Sequence, residues 1–177
     1  KAGVDAFAKL EAQGVHVRML TNSLEANDVL PVHAGYAKRR EAMLASGVAL
    51  YELRRMAAPG TPDELGIFGS SGASLHAKTF AVDGARIFIG SFNFDPRSNQ
   101  LNTEMGLLID SKALANGVHA AFDDGFFGMA WRVEMKNGEL AWIDPVTGTI
   151  TTVEPGSSRV RSLALTVVGW LPVEWLL

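Results

Sequence analysis

The run LHAKTFAVDGARIFIGSFN, residues 75 to 93, holds a histidine, a lysine, a serine and an asparagine at spacings that suit proton transfer to, or attack on, an anionic group. An imidazole has an ordinary pKa of about 6.5, so it exchanges a proton or acts as a nucleophile near neutral pH. An ammonium and a carboxamide supply fixed donors where negative charge develops. His76 is the candidate for the first task and Lys78 and Asn93 for the second. Ser91 is the candidate for holding either the ring or an oxygen of the bound anion.

A turn is what brings these groups together. Asp83-Gly84 between two β-rich runs signals a two-residue hairpin, because a type I′ turn needs positive φ at both positions. With that loop, paired positions sum to 167, which sets His76 across from Ser91 and Lys78 across from Ile89. Side chains alternate faces along a strand, so His76, Lys78, Ser91 and Asn93 are expected on one face. Leu75, Ala77, Thr79, Phe88 and Phe92 fall on the other, as a core layer. The same geometry carries Asp83 to the turn, away from the reacting end.

The string H-x-K-x4-D-x6-G-S-x-N, complete here as His76, Lys78, Asp83, Gly90, Ser91 and Asn93, resembles the signature of the phospholipase D superfamily. Glu104 stands where that family has the acidic residue that anchors the histidine ring. The flanking text GSFNFDPRSNQLNTEMGLLID and the terminal LPVEWLL are similar to the carboxy-terminal half of bacterial cardiolipin synthases, most closely those of type C. The likeness covers the chain from about residue 14 onward.

The resemblance implies a phosphatidyl transfer between phospholipids, with phosphatidylglycerol and, as a second candidate, phosphatidylethanolamine as substrates, at a membrane surface and with no cofactor. In the family two motifs cooperate. One histidine attacks phosphorus to form a phosphohistidine, and the other protonates the leaving oxygen. This chain holds one motif, so likeness to the second half implies that His76 is the acid and base, with the nucleophile on a missing amino-terminal half. A homodimeric phosphodiesterase, phospholipase or nuclease, sharing two copies of His76 across a two-fold axis, is the alternative. An inactive membrane-docking fragment is a third. The implied location is peripheral, on a bacterial inner membrane, and otherwise cytoplasmic.

The composition fits these expectations. The chain has 177 residues, 47% apolar and 20% charged, which suits a folded domain with a sizeable core. Its net charge of −3 argues against a general nucleic-acid binder. It has no cysteine, and its histidines at 16, 33, 76 and 119 are too scattered for a metal site. It opens on Lys1 with no leader, which reads as a fragment or processed product. No charge-free apolar run of 18 residues is present.

Along the chain, residues 2 to 13 have the apolar spacing of a helix stopped by Gly14, and residues 15 to 20 read as a strand that runs into Thr21-Asn22-Ser23. A second helix over 33 to 46 ends at Gly47 and precedes the strand VALYEL. The alternation predicts a phospholipase D-like α/β sandwich with a mixed sheet flanked by helices. On the second helix Lys38, Arg39 and Arg40 read as a solvated face, or one that meets anionic head groups. His33 and Tyr36 match a His-x-Gly-Tyr string associated with cardiolipin synthases, which implies substrate contact.

Residues 56 to 74, rich in glycine, proline and serine, read as a loop beside the site. Arg97, close to Asn93 in sequence, is a further candidate for phosphate. Met105 to Ile109 reads as a strand, and 111 to 129 as a helix in which His119 is structural or exposed. The expected division is a catalytic domain over 1–130 and, over 131–177, a β-meander appended to the main sheet followed by an apolar tail. Trp170 and Trp175 in that tail suit either a membrane interface or packing on the core.

Overall fold

The structure, a computed structural model, describes residues 2–27, 30–55, 78–93, 98 and 100–158. Helix α1 (Ala2–Ala12) leads to strand β1 (Arg18–Asn22), and helix α2 (Leu30–Ala45) to β2 (Ala49–Leu53). Strands β3 (Lys78–Val82), β4 (Arg86–Gly90) and β5 (Gly106–Asp110) follow. Helix α3 (Lys112–Asp123) and a short 3-10 turn (Gly125–Gly128) come next, before β6 (Ala130–Lys136), β7 (Glu139–Ile143) and β8 (Ile150–Thr151).

The first sheet has the order β1-β2-β6-β7-β8. β1 and β2 are parallel, as a strand–helix–strand crossover requires, and the rest is antiparallel, so the sheet is mixed as expected. The alternation in ALYEL buries Leu50 and Glu52 on one face. Leu50 pairs with Val133, and Val133 with Trp142, so the three line up across the sheet beneath α2. Met43 of α2 and Val48 complete this core, with Val4 and Phe7 of α1 packed at its border. Gly47, at φ +103°, lets the chain leave α2 in the left-handed conformation that glycine adopts without a Cβ penalty. The β-meander thus shares one sheet and one core with the first two strands.

The second sheet is β3-β4-β5, antiparallel throughout. Its hairpin turns at Asp83-Gly84, both left-handed at φ +52° and +60°. The loop, however, is one residue longer than the dipeptide signal implies. The observed pairs are Lys78 with Gly90, Thr79 with Ile89 and Phe80 with Phe88, and Ala85 is the extra residue. The Ala85 amide closes the tight turn on the Val82 carbonyl at 3.0 Å, and the Ala85 carbonyl accepts the Ser111 amide, also at 3.0 Å, at the start of α3.

A slip of one residue exchanges the faces of the partner strand. Lys78 therefore shares its face with Phe80, Phe88 and Gly90, and not with Ile87 and Ile89 as the shorter loop requires. The Phe80 and Phe88 rings stack there, with centroids 4.9 Å apart.

Helix α3 ties the two sheets together. It packs against β3 and β4 on the face that buries Ile87. His119 reaches the hairpin, accepting the Gly84 amide at 3.1 Å on Nε2. Phe122 meets Tyr51 of β2 edge-on at 5.5 Å, and Asp123 pairs with Arg18 of β1 at 2.5 Å. The layers run α1 and α2, first sheet, α3, second sheet.

Candidate functional site

Gly90 ends β4, and the chain bends at Ser91. A Cβ at Gly90 would lie 2.6 Å from the Met105 carbonyl oxygen, 2.6 Å from the Phe88 ring and 2.8 Å from the Gly106 Cα. Only glycine lets β4 and β5 approach this closely. That approach sets the next residue: the Ser91 amide donates to the Met105 carbonyl at 2.9 Å, and the Met105 amide donates to Ser91 Oγ at 3.0 Å. The Ser91 hydroxyl in turn donates to Glu104 Oε2 at 2.5 Å. Its oxygen and its proton both have protein partners.

Glu104 collects further donors. Asn102 Nδ2 donates to Oε1 at 3.4 Å. The Ser91 hydroxyl chiefly, then the Ser98 hydroxyl, hold the Glu104 carboxyl below the usual carboxylate range against burial, with Asn102 and the positive charge of Lys78 adding less. The group is a carboxylate throughout the neutral range. Lys78 begins β3 opposite Gly90, half-buried, and Asn93 is exposed two residues past Ser91. The site so described is a fixed carboxylate with a lysine near enough for its charge to be felt, at one end of a three-stranded sheet.

Of the residues singled out by sequence, the structure brings together Ser91, Glu104 and Lys78. Asp83 lies at the turn at the other end of the hairpin. His76 and Arg97, with the loop over 56 to 74 and the tail over 163 to 177, lie outside the described residues. Ser98 and Asn102 are additions. The signal that could have found them is the run Ser98, Asn102, Glu104 just ahead of a strand, since short polar residues there need partners.

His33 and Tyr36 sit elsewhere, within the first sheet's core. His33 is 0% exposed, and its Nε2 lies 2.8 Å from Glu154 Oε1. The Tyr36 hydroxyl donates to Glu52 Oε1 at 2.9 Å, and burial, with the Glu52 charge, pushes it well above its ordinary range. Arg40, one helical turn along, is 2% exposed and pairs with Glu52 at 2.9 Å and Glu154 at 2.7 Å. Trp142 Nε1 donates to Glu52 Oε2 at 2.8 Å. Arg40 is therefore not part of a solvated cationic face: it pairs with two carboxylates under α2, and of the three cations only Lys38 is exposed.

Among the described residues, no group of three or more His, Asp or Glu is placed to hold a metal ion. No helix among them is long and apolar enough to cross a membrane.

Residues 1–125 match the family described as "Cardiolipin synthase, PLD-like domain". The chain belongs to this phospholipase D-like family. Over its whole length it is 45% identical to cardiolipin synthase C of Escherichia coli (strain K12), of which it covers 38%. It is 31% identical, over 77% of its length, to an uncharacterised Helicobacter pylori (strain J99) protein, of which it covers 26%. The chain thus spans well under half the length of these relatives. No solved structure matches it.

Proposed function

We propose that this chain supplies the second signature motif of a phospholipase D-type phosphatidyltransferase that makes cardiolipin from phospholipids. The observation that carries the reading is the complete signature in a chain similar throughout to cardiolipin synthase C. The arrangement at Glu104 supports it. A phosphodiester resists attack because its charge repels nucleophiles and its alkoxide leaves poorly. Lys78 and Asn93 offset the phosphoryl charge, and His76 gives a proton to the leaving glycerol oxygen. The phosphorus–oxygen bond breaks as a bond forms from phosphorus to a histidine of the first motif. His76 then takes the proton from the hydroxyl of a second lipid as that oxygen displaces the histidine. Glu104, kept ionised, steadies the His76 imidazolium. Asp83 acts through the turn, and Arg97 is a phosphate contact.

Leu101 and Met105, 77% and 80% exposed on either side of Glu104, give the site an apolar rim suited to a lipid whose acyl chains stay in the bilayer. This favours peripheral attachment to the membrane that contains the substrate. His33 and Tyr36, by contrast, act through the fold. His33 Nε2 and the Tyr36 hydroxyl serve Glu154 and Glu52, and we assign the two residues no substrate contact.

The test is to incubate a protein that includes this chain and carries two copies of the signature with vesicles of labelled phosphatidylglycerol, with and without phosphatidylethanolamine. Labelled cardiolipin is expected, and His76→Ala should abolish it. Absence of product with both lipid mixtures overturns the substrate assignment.

A further inference from the structure

His119 of α3 faces two elements at once. Its Nε2 meets the Gly84 amide of the hairpin turn at 3.1 Å, and its Nδ1 lies 2.7 Å from Nη2 of Arg18 on β1. Both neighbours are donors only, because a backbone amide and a guanidinium have no lone pair to offer. A neutral imidazole carries one proton and one lone pair in the ring plane. It therefore accepts from one of the two and turns an N–H toward the other. Rotating the ring by half a turn would bring ring carbons to both places.

Both donors are held where they are. Asp123 pairs with Nη1 of Arg18 at 2.5 Å, and the Phe122 ring lies with its centroid 5.0 Å from the guanidinium carbon, so Nη2 is aimed at the histidine. In the turn, the Val82 carbonyl takes the Ala85 amide and the Ala85 carbonyl takes the Ser111 amide at the start of α3. The Gly84 amide, which the turn itself does not use, is presented to His119. The ring is partly exposed, so water can meet whichever donor is released.

We propose that His119 is a two-way latch for whose single lone pair β1 and the signature hairpin compete: with its proton on Nδ1 it holds Gly84, and with its proton on Nε2 it holds Arg18 instead. The inference goes beyond the reaction proposed above and does not depend on its substrate, since it concerns hydrogen bonds within the chain. The latch acts on the turn that carries Asp83 and closes the strand begun at Lys78. Whatever draws Arg18 from the ring tightens that turn, and whatever takes up the Gly84 amide tightens β1 on α3. A bond from a charged donor is roughly twice as strong as one between neutral groups, so the undisturbed ring favours Arg18.

Competition predicts what a merely structural contact does not. Arg18→Gln replaces a donor-only group with a carboxamide, whose oxygen accepts from Nδ1–H while Nε2 takes the Gly84 amide. Removing a partner of His119 should therefore tighten the hairpin. The experiment is NMR on the full chain labelled with nitrogen-15, at a pH high enough that the His119 nitrogen signals no longer move on adding base. In the wild type the ring proton is expected mainly on Nε2, and in Arg18→Gln on Nδ1. Hydrogen exchange of the Gly84 amide is read as a ratio to that of Ala85, so that general loosening cancels. It should be about fivefold slower in the variant, the factor that one hydrogen bond of ordinary net strength corresponds to. The same tautomer in both proteins overturns the proposal, and so does an unchanged ratio.

Should Arg18→Gln fail to fold, Asp123→Ala decides. It alters a side chain that is 69% exposed and removes the carboxylate that aims Arg18 at the ring. Both readings should move in the same direction as in Arg18→Gln, by less, and a variant in which either stays at its wild-type value overturns the proposal.

Discussion

At the scale of the residue, the glycine of the signature has a physical reason that needs no reference to substrate. Gly90 and Gly106 pair across β4 and β5 with the Phe88 ring over them, and a methyl group at residue 90 meets backbone atoms on the opposite strand at 2.6 and 2.8 Å. Backbone cannot swing aside as a side chain can. Gly90→Ala should destabilise the fold by about 1–3 kcal/mol, the range for overpacking, and loosen the Ser91–Glu104 hydrogen bond. Urea denaturation tests the first part and an acid titration of the Glu104 carboxyl, followed by NMR, the second. A variant as stable as wild type, with the same midpoint, would contradict this account of the glycine. The signature residues were legible because their types and spacings are unusual together. Ser98 was not, because a serine in a polar stretch carries no mark of being buried, and only the folded chain shows which hydroxyl turns inward.

At the scale of the element, α2 shows how much depends on helical phase. His33, Tyr36 and Arg40 recur at three and seven residues, which puts them on one stripe. Three consecutive cations hide that phase, so Arg40 reads as solvated although it is the one that enters the core. Removing it leaves Glu52, 0% exposed, without its cation. Arg40→Ala should cost about 3–5 kcal/mol, the range for breaking a buried pair from one side. Adding Glu52→Gln should recover part of the loss, because the uncompensated charge goes with it. Denaturation of both single variants and the double variant measures the coupling, and strictly additive losses would show that the two charges do not depend on each other. The hairpin carries a similar lesson. The site of its turn was legible in Asp83-Gly84, but its length was not, because the carbonyl of the extra residue, Ala85, is taken by Ser111, 26 positions further on.

At the scale of the whole molecule, the alternation of helices and strands gave the layer class, whereas the place of α3 between two sheets depends on contacts such as Arg18 with Asp123, about a hundred positions apart, which no local pattern encodes. The molecule's charges also set its response to acid. Asp144 accepts the amides of Thr147 and Val146 and pairs with Arg54 at 3.0 Å. The Thr147 amide first, opposed by burial, and then the Val146 amide and Arg54 lower its pKa to about 2. An unfolded aspartate titrates near ~3.9, so the folded form binds its proton more weakly. The stability Asp144 contributes is therefore complete above about pH 4 and is lost as pH falls toward 2. Glu154, held low against burial by His33 and Arg40, acts in the same direction, whereas Glu52, pushed up by burial, acts in the opposite one. Melting temperatures of wild type and Asp144→Asn, taken from pH 2 to 5, should diverge as pH rises through that window. A constant difference would remove Asp144 from the acid response.

The second sheet has a bearing on how the chain behaves in a tube. β5 pairs with β4 alone among the described residues, and it presents Leu107 on one side and Leu108 on the other, 64% and 66% exposed. A strand that ends its sheet among the described residues, with oil on both sides, is adhesive to copies of itself. Purified stocks would be expected to clump as they are concentrated, in a way that mild detergent disperses and added sodium chloride does not.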